Sequence, residues 1–443
     1  MAAKENNKLI ALLFVGVLMG ALDISIVGPA IPSIESSLQI GDRYSGWVFS
    51  IYVLFNLMGI SLFARLSDVF GRRSIYVLAL GIFAVGSLIV SVTSNFEWLL
   101  VGRAVQGFGA SGIFPVASAT VGDLFPVEKR GRILGMLGAV FGLAFLIGPF
   151  IAGVMLHYLS WNFLFIVNLP ISAILMFYSL RLLPNKSVSN VTRIDWKGII
   201  SLGLGLAGFT YGINNIDGNN IQSLFQMNVT VPFAVALVSF AFLLLTEKNT
   251  PSPIIKFGFF KQRQIIIVGI LAMATGLIQA CFVFLPKFVV QNFQVEPSTA
   301  SFMLVPFVLA SAVGSPVFGR LIDKYGVKYI IMIGLLLMGV GFYLMSVTGT
   351  SLFFYYLNGT FIGLGMSVLS GSSLRYIMLN NTDAEDRAIS QGMLTIFTSV
   401  GQLAGSAMVG ILLASFTNGY TLIFTGISVL LAILILVSVK LKN

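Results

Sequence analysis

Arg65-Leu66-Ser67-Asp68-Val69-Phe70-Gly71-Arg72-Arg73 returns as Gly319-Arg320-Leu321-Ile322-Asp323-Lys324-Tyr325-Gly326-Val327-Lys328, with Asp68 and Asp323 lying 255 residues apart. Both copies fill short polar gaps between long apolar stretches. A charged loop repeated inside a hydrophobic chain indicates a membrane protein built from two related halves. The repeat reaches past the loops. Gln106-Gly107-Phe108-Gly109 aligns with Ile362-Gly363-Leu364-Gly365 at an offset of 256, and Gly135-Met136-Leu137 with Gly392-Met393-Leu394 at 257. The register drifts by only two residues across the three motifs, so the halves are parallel repeats. Parallel repeats in a membrane chain are the architecture of a secondary transporter.

Composition agrees with a lipid solvent. The 443 residues are 57% hydrophobic and 9% charged, with a mean hydropathy of +0.96. A soluble domain carries about 25% charged residues. The single cysteine, Cys281, excludes an internal disulfide and a cysteine-based metal site, and the single histidine, His157, excludes a histidine cluster. No metal and no cofactor are therefore expected. Nor does the chain contain a phosphate-binding loop or a Ser-His-Asp order, which leaves ATP-driven transport and hydrolysis without support. A net charge of +10 would suggest nucleic acid in a soluble protein. Here it is assigned to basic cytoplasmic loops, and no nucleic-acid partner is expected.

A spanning helix needs roughly 20 mostly apolar residues. The sequence offers fourteen candidates, at 9–34, 44–66, 74–93, 98–122, 132–156, 162–182, 196–215, 227–246, 264–289, 298–318, 329–348, 351–378, 388–415 and 419–439. The expected division is an N-terminal six-helix bundle over 1–182, a linker with two extra spans over 183–262, and a C-terminal six-helix bundle over 263–443. With the N-terminus inside, all of the 26 basic residues except Arg43, Lys287 and Arg103 fall in cytoplasmic loops or at cytoplasmic helix ends. Both termini are thus expected in the cytoplasm, in a multi-pass protein of the plasma (inner) membrane.

Six plus two plus six helices, with the loop after the second span repeated later, resembles the major facilitator superfamily, and within it the fourteen-helix drug:proton antiporter branch. That resemblance implies an all-α fold of two pseudo-symmetric six-helix bundles. It also implies proton-coupled export of hydrophobic, cationic small molecules, rather than an enzyme. The expected partners are the substrate, protons and the bilayer, with a monomer as the working unit.

Four motifs carry the resemblance. The first loop follows G-x-x-x-D-[RK]-x-G-R-[RK], with Ala64 in place of the first Gly and Val69 in place of the basic residue. The resemblance makes Asp68, Gly71, Arg72, Arg73 and Asp123, with Asp323, Lys324 and Gly326 in the second copy, a latch that closes the cytoplasmic side. Asp68 would accept from free N–H groups at the helix opening near Ala388, where the macrodipole favours an anion, and Arg72 would pair with Asp123. The fifth span resembles the antiporter motif G-x8-G-x3-G-P-x2-G-G through Gly135, Gly148, Pro149 and Gly153, with alanine at 144 and 152. Small residues there allow close helix approach and Pro149 bends the helix.

The first span carries Leu22-Asp23-Ile24-Ser25-Ile26-Val27-Gly28-Pro29-Ala30-Ile31-Pro32, similar to L-D-x-T-[IV]-V-N-x-A-[LI]-P except at Gly28 and Pro29. Asp23 lies deep in the apolar run. A carboxylate at the bilayer centre costs roughly 2.5–3.5 kcal/mol, which marks it as functional by default. Desolvation favours its neutral form, so it is suited to hold and release a proton. The fourth span carries Arg103-Ala104-Val105-Gln106-Gly107-Phe108-Gly109, similar to R-x-x-Q-G-x-G. The resemblance brings the first and fourth helices close enough for Arg103 to pair with Asp23 and couple to its proton. Asn56, Gln106, Gln279, Phe282, Asn358 and Gln391 are the candidate substrate-cavity residues, phenylalanine being suited to stacking on flat lipophilic cations. Export of a lipid or amphiphile remains an alternative, as does, in another class, a non-transporting membrane sensor or scaffold.

Overall fold

The computed structural model describes residues 3–184, 195–248, 256–348, 351–370, 373–382 and 387–442. Among these residues every regular element is helical. The chain divides into two compact units, the first comprising Met1–Ile40 and Trp47–Leu204, the second Gly41–Gly46 and Gly205–Asn443.

The first unit is built on α1 (Ala3–Leu38), α2 (Asp42–Phe70), α3 (Arg72–Val92), α4 (Phe96–Leu124), α5 (Val127–Tyr158), α6 (Phe163–Ile166) and α7 (Asn168–Leu182), and reaches into α8 (Trp196–Asn214). The second holds α9 (Met227–Glu247), α10 (Arg263–Val283), α11 (Leu285–Phe293), α12 (Pro297–Met303), α13 (Val305–Tyr325), α14 (Val327–Thr348), α15 (Leu352–Leu369), α16 (Ser373–Asn380), α17 (Arg387–Ser415) and α18 (Gly419–Ser438). Helical hydrogen bonding is interrupted just ahead of several prolines, at Val167 before Pro170, Phe284 before Pro286 and Leu304 before Pro306, while the backbone at each stays helical. Proline has no N–H for the preceding turn, and its ring crowds the carbonyl four residues back.

Twelve helices are long and apolar enough to cross a membrane among the described residues, not the fourteen expected. The difference lies at 132–156 and 196–215. The helix α5 is continuous over 32 residues, but its fully described apolar stretch is only Ile147–Tyr158. The helix α8 has 19 residues, about 28 Å of rise and close to the minimum for a span. Lys197 and five glycines dilute its apolar character.

The internal repeat is visible in the backbone. Gly71 (φ 88°) separates α2 from α3, and Gly326 (φ 86°) separates α13 from α14. Positive φ favours glycine because it has no Cβ to collide with the backbone. Gln39 (φ 52°) and Gln294 (φ 53°) repeat a second left-handed turn at the same 255-residue spacing. Close approaches repeat as well. A methyl group on Gly107 would collide with the Tyr52 carbonyl, and one on Gly363 with that of Phe307. One on Gly109 would meet the Phe83 backbone, and one on Gly365 would meet Met338 and Gly334. The glycines of α4 and α15 therefore let neighbouring backbones touch in the same way in each unit, as small residues do in membrane helix packing.

Candidate functional site

The fourth helix starts where Asn95 caps it, its side chain accepting from the N–H groups of Glu97 (2.8 Å) and Trp98 (3.3 Å). This fixes the phase of α4. Arg103 and Gln106, three residues apart, then share one face, and Arg103 Nη1 donates to Gln106 Oε1 at 2.7 Å. The same Nη1 meets Asp23 Oδ2 on α1 at 2.6 Å. Both partners of this ion pair are 0% exposed.

A closed cage surrounds the pair. Asp23 Oδ1 accepts from Gln106 Nε2 at 2.7 Å and from Asn168 Nδ2 at 3.0 Å. Gln106 Nε2 also reaches Ser87 Oγ at 2.8 Å, and Ser87 donates to the Phe83 carbonyl at 2.9 Å. Arg103 Nε donates to the Val48 carbonyl at 3.2 Å. The guanidinium lies 4.3 Å over the Tyr52 ring and 5.6 Å from that of Phe165. Arg103 Nη2 and the Tyr52 hydroxyl have no hydrogen-bond partner among the described residues. Helices α1, α2, α3, α4, α6 and α7 thus each supply a wall. The arrangement satisfies an ionised carboxylate, whose charge is matched by a guanidinium and two neutral donors. Removing one member of a buried pair strands the other, at a cost of about 3–5 kcal/mol.

The remaining motif residues fall as follows. Arg72, 7% exposed, links three elements. Its Nη1 meets Asp68 Oδ1 and Ser67 Oγ, both at 2.5 Å, and its Nε meets Asp123 Oδ2 at 2.8 Å. Arg73 Nε donates to the Leu183 carbonyl, which closes the end of α7. The Asp323 side chain lies outside the described residues, as do the side chain of Ala388 and the surroundings of Gly135. Lys324 Nζ stands 5.0 Å from the Tyr325 ring. Gly148, Pro149 and Gly153 are buried in α5. A methyl group on Gly148 would collide with Ser25, and Ser25 Oγ lies 3.0 Å from the Ala144 carbonyl, so the small-residue face of α5 receives α1.

The cavity candidates do not share one environment. Gln106 belongs to the Asp23 cage. Asn56 Nδ2 donates to the Gly107 carbonyl at 3.3 Å. In the second unit Gln402 Nε2 donates to Gln279 Oε1 (2.9 Å), and Gln279 Nε2 to Ser370 Oγ (3.1 Å). Asn358 is fully buried and donates to Thr348 Oγ1 at 3.1 Å. Phe282 packs edge-on against Phe307 and Phe342. Gln391 is half-buried, and its Nε2 has no hydrogen-bond partner among the described residues. Sequence reading missed Ser87, Tyr52 and Phe165 as cage members. The signal that Asn168 offers in the sequence is an amide inside an apolar run ahead of Pro170.

The sequence profile of the Major Facilitator Superfamily matches residues 13–292 and 265–442. Multidrug resistance protein 3 of Bacillus subtilis (strain 168) is 30% identical over 445 residues, covering 96% of this chain and 83% of that protein. Multidrug transporter protein MdtP of the same organism is 28% identical, over 92% of this chain and 75% of its own length. The crystal structure of a POT family transporter in complex with 5-aminolevulinic acid superposes with a TM-score of 0.72, covering 97% of this chain and 95% of that one at 16% identity. That likeness concerns the fold.

Proposed function

The chain belongs to the major facilitator superfamily of membrane transporters, not to an enzyme family, and from that membership we propose that it is a proton-coupled exporter of hydrophobic, cationic small molecules. The observation that carries the proposal is the Asp23–Arg103 ion pair, 2.6 Å long and shut away from solvent between α1 and α4. A buried ionisable pair is expensive to keep in a membrane protein and is kept where charge must move. The relatives named for multidrug resistance and multidrug transport support export of drug-like compounds.

The cycle follows alternating access. Facing inward, the protein takes substrate from the cytoplasm or inner leaflet. Facing outward, it loses substrate and Asp23 takes a proton, which loosens Arg103. Returning inward, Asp23 sheds the proton and the pair re-forms. The Arg72–Asp68–Asp123 cluster ties α2, α3 and α4 together and acts as the cytoplasmic latch, with Gly71, Arg73 and the repeat residues Asp323, Lys324 and Gly326. Exchange of one proton for one monovalent cation moves no net charge. Only the pH gradient then drives it, at about 1.4 kcal/mol per pH unit, and the roughly 2.3 kcal/mol per charge per 100 mV of the membrane potential contributes nothing.

We also assign α5 and α8 as two further crossings, giving fourteen in a 6+2+6 order over 1–182, 183–262 and 263–443. Both termini lie in the cytoplasm of a plasma-membrane protein that works as a monomer. The functional test uses acidified inside-out vesicles with a pH-sensitive dye and a panel of lipophilic cations. Substrate-triggered proton release in wild type and none in Asp23→Asn is the expected result. Equal release in both would remove Asp23 from the mechanism.

A further inference from the structure

The two oxygens of Asp23 are held differently. Oδ2 has one charged partner, Arg103 Nη1 at 2.6 Å. Oδ1 has two neutral ones, Gln106 Nε2 at 2.7 Å and Asn168 Nδ2 at 3.0 Å. The same two amide nitrogens approach Ser87 Oγ, at 2.8 and 3.4 Å, so one fully buried hydroxyl braces both. A proton placed on Oδ1 would face two N–H donors. A proton placed on Oδ2 replaces a single N–H. Arg103 released from Oδ2 still keeps the Val48 carbonyl, Gln106 Oε1 and the Tyr52 ring, so its charge is not stranded.

We propose that Asp23 takes its proton on Oδ2, and that Asn168, braced by Ser87, is the positioning residue that pins Oδ1 from α7 while this exchange happens. This builds on the reading of Asp23 as the proton carrier. Val167, between α6 and α7, keeps helical dihedrals (φ −57°, ψ −29°), so the two segments form one span, on which Phe165 lies against the guanidinium and Asn168 against the carboxylate. One helical span therefore touches the carboxylate with α7 and the guanidinium with α6. When Arg103 leaves Oδ2, the contact on α6 changes and the contact on α7 stays.

The titratable and charged groups facing Asp23 among the described residues are Arg103 from α4 and Tyr52 from α2. The helices α3 and α7 present Ser87 and Asn168, and α5 presents Ala144 and Gly148 to the neighbouring Ser25. Donors to a carboxylate favour its ionised form. Losing one of the two neutral donors should move the Asp23 titration upward by about one pH unit, a tenfold change in proton affinity.

The test is an infrared pH titration of the full chain in lipid nanodiscs. The carboxyl C=O band of Asp23 is identified as the band lost in Asp23→Asn. In Asn168→Leu the midpoint is expected to rise by about one unit, and the band to move to higher frequency because Oδ1, the carbonyl oxygen, has lost a donor. Ser87→Ala should shift both in the same direction by less, and Asn168→Gln, which keeps an amide, should stay nearer wild type than Asn168→Leu. An unchanged midpoint and frequency in Asn168→Leu and Ser87→Ala overturns the proposal. Should Asn168→Leu fail to fold, an unchanged Ser87→Ala decides against it alone. If no titrating band depends on Asp23 at all, the proton-carrier reading itself falls, which is a different result from an unshifted band.

Discussion

The first unit holds a charge where the second holds only rings and aliphatic side chains. The repeat pairs Asp23 with Ile278, Tyr52 with Phe307, Ser87 with Phe342, Arg103 with Gly359 and Gln106 with Ile362. Each of these five cage residues has an apolar or empty counterpart. The space left at Gly359 is filled by the Phe307 ring, with which an added methyl group would collide. Phe307 packs on Tyr355 at 5.1 Å, and Phe424 reaches Phe342 at 6.0 Å and Phe288 at 5.1 Å. The same glycine contacts and the same left-handed turns frame both sites, so the backbone is common and only the side chains differ. One copy of the repeat carries a buried ion pair, and the other a packed aromatic cluster at the matching positions.

That comparison is sharpened most by converting the first unit toward the second. Asp23→Ile strands Arg103 and should cost about 3–5 kcal/mol and abolish coupling. Asp23→Ile combined with Arg103→Leu should recover most of the stability, because apolar pairs replace buried ion pairs at little cost, yet recover no transport. Thermal unfolding in detergent together with vesicle transport would check both, and a double variant as unstable as the single one would break the account.

Arg103→Leu alone leaves Asp23 without its cation. At acid pH the carboxyl is neutral and the loss is small. As pH rises the unfolded chain sheds the proton while the folded site must hold an unpaired charge, so the deficit grows toward alkaline pH. Melting curves at pH 5 and pH 8 should diverge in this variant more than in wild type.

Smaller effects are expected from the second unit and the shared turns. Gly359→Ala should cost about 1–3 kcal/mol by overpacking against Phe307 and leave proton release intact. Gly71→Ala and Gly326→Ala should each cost about 1–2 kcal/mol, since both place a side chain at positive φ. Equal melting shifts would support the repeat, whereas a loss at one site only would argue that the turns are not equivalent. The smallest change is Tyr52→Phe, which copies Phe307. The Tyr52 hydroxyl is buried without a partner, so its removal should alter stability by less than about 1 kcal/mol.

Much of the fold was legible because lipid imposes a simple rule: long apolar runs separated by charged gaps. The two-fold repeat was legible in the Asp68 and Asp323 loops, since glycine and charge there serve geometry that both halves share. The helix count was less secure at α8, where glycines and Lys197 bring the segment near the threshold for a span. At the site, Asp23 and Arg103 stood out because charge inside an apolar run is rare. Ser87 and Asn168 did not, because small polar residues also serve as ordinary helix glue, and only three-dimensional proximity separates the two roles. Gln106 was placed with the cavity residues for the same reason. Phe165 and Tyr52 look like any other lipid-facing or core aromatic until the guanidinium is seen lying against them.

The central claim is that the cage around Asp23 is the chain's proton site and that its aromatic counterpart in the second unit carries none. Potentiometric counting of protons released when a lipophilic cation is added to the purified, unbuffered protein tests this most directly. The account predicts close to one proton per chain in wild type, the same in Gly359→Ala, and none in Asp23→Asn. Release that persists in Asp23→Asn, or a wild-type count near two, would contradict it.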